Sequence, residues 1–156
     1  MKLSNISNYQ ILIEILLNKL DGKMNDLISV VVTCYNHENY IEQCLRSIFN
    51  QTYRNIELIV LDDGSTDSSN QIIQEVLKES PFETRFETHE NLGVVKNRNL
   101  GLELIRSDYL LFVDSDNYLD EDYVEQLYSK LVETNADIVY CDLFNREKEE
   151  FYLKSR

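Results

Sequence analysis

Three short stretches of this sequence are apolar at almost every position: residues 28–33 (ISVVVT), 56–61 (IELIVL) and 109–113 (YLLFV). A strand with one wet face alternates polar and apolar residues; a strand covered on both faces has no need to. The missing alternation therefore predicts strands buried on two sides. Between them lie segments with helical periodicity. Residues 39–50 place Ile41, Leu45, Ile48 and Phe49 on one face, and residues 94–105 and 121–133 read as further helices. Thr66 or Asp67 is positioned to cap a helix running to about residue 79. Residues 82–88, just after Pro81, read as a shorter strand, and residues 136–141 as a fifth. Strands alternating with helices predict an α/β fold, with a mostly parallel sheet and helices on both faces.

A chain of 156 residues suits one domain with a real core. Ahead of it, residues 9–20 read as a helix. Ile11 and Ile15 share a face, Leu12, Leu16 and Leu20 another, and Ile13 and Leu17 a third. The expectation is a helical extension over residues 1–26 and a main domain over 27–156. That helix wants cover on several sides, from its own domain or from a second copy in a homo-oligomer. The charged tail (NREKEE, then FYLKSR) reads as a frayed helix or an edge strand.

Fifteen basic and 28 acidic residues give a net charge of −13. Such an excess argues against a nucleic-acid backbone, which needs Lys and Arg to replace counterions, and against an anionic membrane surface. No run approaches the roughly 18 apolar residues of a membrane span, and the N-terminus lacks a signal peptide's layout. The expectation is a cytoplasmic protein, free or peripheral to the membrane. Cys34, Cys44 and Cys141 form no disulfide framework and no CxxC pair. They read as small buried hydrophobes in a reducing compartment.

Two of the apolar runs end in acids, Asp62-Asp63 in one and Asp114-Ser115-Asp116 in the other. Ligands of open α/β sheets sit at the carboxyl ends of strands. Alternate side chains at a strand end point the same way, so Asp114 and Asp116 can reach one site. Oxygen ligands of this kind suit Mg²⁺ or Mn²⁺, above all when a diphosphate completes the shell. Taken singly, each acidic pair also reads as a turn or a helix cap. Thr33 and Tyr35 close the first run; the ring can stack on a base or sit half-buried. Lys96 and Arg98 supply a basic pair in NLGVVKNRNLG, for a diphosphate or simply for a solvated helix face. His37 and His89 have no metal-ligand spacing and read as surface groups. Parallel strands would carry Thr33/Tyr35, Asp62/Asp63 and Asp114/Asp116 to one edge of the sheet. The usual phosphate loops and the G-x-S-x-G elbow are absent. A receiver domain has its acids after the first strand, and a haloacid-dehalogenase-like phosphatase has its D-x-D near the chain start. A phosphatase with Asp114 as nucleophile is therefore a minor reading.

The stretches SVVVTCYNHENYIEQCLRSIFNQTYRNIELIVLDDGSTDSS, NLGVVKNRNLG, YLLFVDSDN and ADIVYC together resemble the family 2 glycosyltransferases of the Rossmann-like GT-A fold. The match runs over about residues 28–141. The resemblance implies a nucleoside-diphosphate-sugar donor, usually a UDP-sugar, and metal-dependent transfer to a hydroxyl acceptor with inversion, as in polysaccharide biosynthesis. By position, Thr33 and Tyr35 would line the uracil pocket. Asp63 would accept from the uracil N3–H, with Asp62 supporting its loop. Arg98 would lie near the diphosphate. Asp114 would contact ribose or the metal's water shell, Ser115 would belong to the same donor-contacting loop, and Asp116 would ligate Mn²⁺ or Mg²⁺. Val95 and Asn97 depart from the small Ser and Ala of the family pattern, and Asn117 from a common acid. Members of the family continue past the strand matching residues 136–141, and that later half carries acceptor contacts and the catalytic base. Glu147, Glu149 and Glu150 lie too close after the fifth strand to match that base, which has no place in this sequence. The expectation is the donor-binding half of a transferase, cut off before the acceptor half. The alternative is a non-catalytic module, a fragment of a larger transferase, that binds a nucleotide sugar or a partner protein without transfer.

Overall fold

The computed structural model describes residues 25–141 and the backbone of 144–145 and 150–151. The helix expected over residues 9–20 and most of the charged tail lie outside the described residues.

Four strands form the main sheet: β1 (Ile28–Cys34), β2 (Ile56–Asp62), β3 (Glu83–Thr88) and β4 (Tyr109–Asp114). Their order is β3-β2-β1-β4, and every neighbouring pair is parallel. The helices are α1 (Ile41–Phe49), α2 (Ser69–Val76, prolonged by a 3₁₀ turn over Leu77–Glu79), α3 (Val94–Leu104) and α4 (Tyr123–Thr134). Two-residue strands β5 (Phe144–Asn145) and β6 (Glu150–Phe151) pair antiparallel, apart from the main sheet.

β1 and β2 are buried at every position, which is why their sequences do not alternate. One face of the sheet packs Val30, Val32, Leu58 and Val60 against Ile41, Leu45 and Ile48 of α1, Ile73 of α2 and Val124 of α4. The other face packs Val31, Ile59 and Leu61 against Leu100 and Leu104 of α3. Each fully buried Leu or Ile of this kind contributes about 1.5–3 kcal/mol. α3 lies close to the sheet because Gly101 faces it: a Cβ there would stand 2.7 Å from Val31 Cγ1 and 3.3 Å from Leu61 Cδ1.

The polar residues inside β1 and β2 are matched to each other. Ser29 Oγ donates to Glu57 Oε1 at 2.5 Å, and Arg106 adds its backbone N–H at 2.8 Å and its Nε at 2.6 Å. Burial pushes the Glu57 carboxyl upward, but these bonds and the Arg106 charge outweigh it and hold the carboxyl below its usual range. This cluster sits at the amino ends of the strands, where it ties the α3–β4 turn to the sheet.

The chain runs from β1 outward to β2 and β3, then crosses by way of α3 to β4 on the other side of β1. The strand order therefore reverses between β1 and β4. A crevice at such a switch point is where open α/β sheets take ligands.

Three expectations are corrected. α2 starts at Ser69 with Ser68 in the N-cap position, later than expected; Thr66 has no part in its start, while Asp67 acts from one residue further out, accepting from Ser69 N–H at 2.9 Å. α4 starts at Tyr123, after a turn closed by Tyr123 N–H on the Asp120 carbonyl at 3.1 Å; buried Gln51 fixes this start, accepting from Val124 N–H at 2.9 Å and donating to the Asp120 carbonyl at 2.7 Å. Residues 136–141 form no ladder. Asn135 ends α4 in the left-handed region at φ 49°, and Ile138 and Tyr140 are then 81% and 80% exposed. A trough of about 570 Å³, lined by Ile28, Leu111, Val124, Leu131 and Ile138, separates this segment from the free edge of β4. An apolar, β-branched run without an edge within ladder distance does not become a strand.

Candidate functional site

The parallel register brings the carboxyl ends of β1, β2 and β4 level. Thr33 pairs with Asp114, and Cys34 with Asp62. The pairing continues past the strands, with Asp63 N–H on the Cys34 carbonyl at 2.9 Å and Ser115 N–H on the Thr33 carbonyl at 3.1 Å. Thr33, Tyr35, Asp62, Asp63, Asp114, Ser115 and Asp116 thus stand at one edge of the sheet, around the switch point.

The acids of this edge have different situations. Asp62 is 1% exposed and saturated: it accepts from Ser65 N–H at 3.2 Å, Asn70 Nδ2 at 2.8 Å and Thr88 Oγ1 at 3.2 Å. Its place is to hold the β2–α2 turn. Asp63 reaches across to the β3–α3 loop and accepts from Leu92 N–H at 2.7 Å and Gly93 N–H at 3.0 Å. It thereby pins the residues that lead into α3. Gly64 lets that loop close. Its φ is +73°, and a Cβ would stand 2.8 Å from Asn91 N and 2.9 Å from the His89 carbonyl oxygen.

Asp114 Oδ1 accepts from Arg98 Nη2 at 2.7 Å and from Thr33 Oγ1 at 3.3 Å. The Arg98 guanidinium also lies over the Phe112 ring, 5.8 Å from its centroid. Arg98 Nε is buried with no hydrogen-bond partner. Arg98 is therefore at the site, as its sequence position implied. Asp116 is exposed and makes no hydrogen bond to a described residue. Tyr35, 45% exposed, leaves a ring face open at the mouth of β1.

Ser115 is turned inward. It is fully buried, and its Oγ lies 2.6 Å from His37 Nδ1. His37 and His89 are not the free surface groups expected from spacing. His89 Nε2 lies 3.2 Å from Asn97 Oδ1, and its Nδ1 lies 3.5 Å from Asp63 Oδ1. Asn97, which replaces a small residue in the motif, is 2% exposed and is the partner of His89.

Sequence reasoning also missed a zipper between the β1–α1 and β2–α2 loops. Asn36 Oδ1 accepts from Thr66 N–H at 2.8 Å, Asn36 N–H donates to Ser65 Oγ at 2.9 Å, and Glu38 Oε2 accepts from Ser68 N–H at 2.9 Å. Asp67 returns the exchange, accepting from Glu38 N–H at 3.0 Å and Ser69 N–H at 2.9 Å. Burial acts to raise the Asp67 carboxyl, but these bonds prevail and hold it below its usual range. The concentration of Asn, Ser, Thr and Asp in both loops was the available signal.

Among the described residues no group of three or more His, Cys, Asp or Glu is arranged to hold a metal ion. Asp116 and the second oxygen of Asp114 have no hydrogen bond to a described residue and are the carboxylate oxygens that could hold a divalent cation. That donor set fits an oxygen-seeking ion such as Mg²⁺ or Mn²⁺ that draws its other ligands from phosphate and water. Arg98, bound to Asp114, is the basic group at this edge.

A doubly wound α/β domain with acids and an arginine gathered at its switch point is, as a class, a candidate ligand-binding domain. Comparison with known proteins narrows the class. Residues 29–156 match the family model for glycosyl transferase family 2. Glycosyltransferase GlyA of Streptococcus pneumoniae is 44% identical over 132 residues, which cover 83% of this chain and 19% of GlyA. Glycosyltransferase GlyG of the same organism is 35% identical over 132 residues, covering 83% of this chain and 44% of GlyG. The crystal structure of residues 1–349 of S. aureus TarS in complex with UDP-GlcNAc superposes with a TM-score of 0.64 at 30% identity, covering 71% of this chain and 32% of that one. The mannosyltransferase PcManGT of Pyrobaculum calidifontis, at 23% identity and a TM-score of 0.66 over 70% of this chain and 33% of that one, shares the fold. The chain belongs to glycosyl transferase family 2, and its fold is that of the GT-A transferases. It spans 19% of GlyA and 44% of GlyG, less than half of either relative.

Proposed function

We propose that this chain is the donor-binding part of a metal-assisted glycosyltransferase, which takes a nucleoside-diphosphate sugar, in particular a UDP-sugar, and serves its transfer to a hydroxyl acceptor with inversion. The observation that carries the reading is the convergence of Thr33, Tyr35, Asp63, Arg98, Asp114 and Asp116 at the switch point of a family 2 domain. The UDP-GlcNAc complex of TarS, at 30% identity, supports the choice of donor.

In this reading Thr33 and Tyr35 flank the uracil, and Asp63, fixed from two sides by backbone amides, keeps a lone pair for the base N3–H. Arg98 exchanges Asp114 for the diphosphate as the donor enters. This releases Asp114 towards the ribose or the metal's water shell. Asp116 supplies the direct carboxylate to Mn²⁺ or Mg²⁺. When bound, the ion neutralises charge on the departing nucleoside diphosphate. The two loops zipped together by Asn36, Glu38 and Asp67 keep the base side from shifting as charge moves on the phosphate side. Free, buried Cys34 and Cys44 fit a reducing compartment, and burial raises the Cys44 thiol to about 12, keeping it inert. No described helix is long and apolar enough to cross a membrane.

Binding without transfer is a second reading, and one observation favours it. Asp62, Asp63, Asp67 and Asp114 are all engaged in hydrogen bonds, and Asp116 is given to the metal. Asp62, Asp63 and Asp67 are spent on holding the loops, and Asp114 and Asp116 on donor and metal, which leaves none of the five for an acceptor hydroxyl. Titration of UDP into the chain, with and without Mn²⁺, tests the shared part of both readings. Metal-dependent binding that Asp116→Ala abolishes is the expected result; unchanged binding in that variant refutes the site. Release of UDP from UDP-GlcNAc only when a saccharide acceptor is added then separates transfer from mere binding.

A further inference from the structure

The DSD turn that carries Asp116 is held to the rest of the domain through Asp114, which binds Arg98 and Thr33, and through Ser115. Its start is fixed by the sheet, since Asp114 is the last residue of β4. The turn is closed by Asn117 N–H on the Asp114 carbonyl at 2.9 Å. Asp116 itself has no bond to a described residue, so its place is set by its neighbours in the turn, of which Ser115 is the buried one. Ser115 N–H is tied to the Thr33 carbonyl at 3.1 Å, and Ser115 Oγ lies 2.6 Å from His37 Nδ1. Ser115 is fully buried, so in the folded chain the imidazole, and not bulk water, is the partner of its hydroxyl.

His37 is in turn anchored to both neighbouring loops. Its backbone N–H donates to Ser69 Oγ at 2.8 Å, and Ser69 is fully buried at the head of α2. Its carbonyl accepts from Tyr40 N–H and Ile41 N–H, both at 3.0 Å, which starts α1. Its ring meets the Tyr40 ring edge-on at 6.0 Å. The loops after β1, β2 and β4 thus meet at one residue, whose backbone binds α1 and Ser69 while its imidazole binds Ser115.

We propose that His37 is a positioning residue of the donor site: by holding Ser115 it sets where Asp116 and Asp114 stand relative to the base-side loops, and so sets the metal affinity of the donor-loaded chain. This rests on the donor-site reading above. Ser115 is then an internal strut, and the residues that touch donor or metal are those on either side of it. Partners that orient a metal ligand from behind characteristically change metal affinity by about 10–100-fold when removed.

The test is the Mn²⁺ dependence of UDP binding, measured at saturating UDP on the full chain. His37→Ala is expected to raise the Mn²⁺ concentration for half-saturation about tenfold. His37→Asn, whose amide falls near the place of Nδ1, is expected to restore it to within about threefold. Ser115→Ala should match His37→Ala, and the double variant should be no worse than either single one, because both remove the same bond. A residue that merely supported the fold would lower the unfolding temperature without moving the Mn²⁺ midpoint. An unchanged midpoint in Ser115→Ala, or losses that add in the double variant, overturns the inference even if His37→Ala fails to fold. A wild-type chain that binds no UDP refutes the donor-site reading itself, and is told apart by failing before any variant is made.

Discussion

Replacing Gly101 by alanine sets two sizeable effects against each other. Gly101 lies inside α3, where alanine is worth about 1 kcal/mol more than glycine in helix propensity. Against this, the new Cβ would stand 2.7 Å from Val31 Cγ1, 3.3 Å from Leu61 Cδ1 and 3.6 Å from Phe112 Cε1. Carbon atoms rest at about 3.5–4.0 Å, so the Val31 contact is about 1 Å too close. Val31 and Leu61 are both 0% exposed, on the central strands, and have nowhere to turn. Overpacking of this kind costs about 1–3 kcal/mol, occasionally more. The net expectation is a loss of about 1–2 kcal/mol, or about 3–8 °C in unfolding temperature for a domain of this size. α3 must also lift, and it carries Arg98 one turn earlier, so the 2.7 Å bond to Asp114 lengthens and UDP binding weakens. The chain has ten tyrosines and no tryptophan, so urea unfolding is best followed by far-ultraviolet circular dichroism with tyrosine emission as the second probe. A Gly101→Ala variant as stable as the wild type would show that α3 does not depend on close approach, and the packing argument would fall.

Glu57→Ala should destabilise by about 2–4 kcal/mol, because Ser29 and the Arg106 backbone N–H lose a buried acceptor while the Arg106 head, half exposed, is rehydrated; chemical denaturation measures it. The same carboxyl has a depressed folded-state value, so its contribution is complete above its ordinary value of 4.5 and is lost as pH falls through the lower folded one. Acid titration of stability should therefore show a shallower decline in Glu57→Gln than in the wild type, and identical slopes would contradict the assignment. Asp62→Ala should cost about 1–2 kcal/mol, because three hydrogen bonds are lost while the half-buried donors of Ser65 and Asn70 and the exposed one of Thr88 partly rehydrate. UDP affinity should fall with it, since Asp63 is the next residue, and retention of both stability and affinity would refute its role as the turn's anchor.

The strands were legible because burial on both faces writes a continuous apolar run, as in β1 and β2. The convergence of Thr33, Asp62 and Asp114 followed from that, since parallel strands of similar length end together. What each acid does there was not legible. Asp62 and Asp114 look alike as strand-ending carboxylates, yet one is saturated by three donors and the other is held by Arg98. That difference is made by residues far away in sequence, such as Thr88 and Arg98. His37 was misread for the same reason: its partner, Ser115, is 78 residues away. The failure of residues 136–141 to become a strand has another cause, since propensity describes the segment while a ladder needs an edge.

The placing of β1 between β2 and β4 has a consequence for how the molecule comes into being. Thr33 waits for Asp114 across 81 residues of chain, and until that partner arrives β1 has one bare edge in the middle of the future sheet. Closing so long a loop is slow, because its entropy is lost before any pairing repays it. Emerging from the ribosome, β1, β2 and β3 can assemble first, with α1 and α2 on one side only. The other side stays open until α3 and β4 are made. For that interval Val31, Ile59 and Leu61 are uncovered, and the nascent chain is at its most exposed to association with its neighbours.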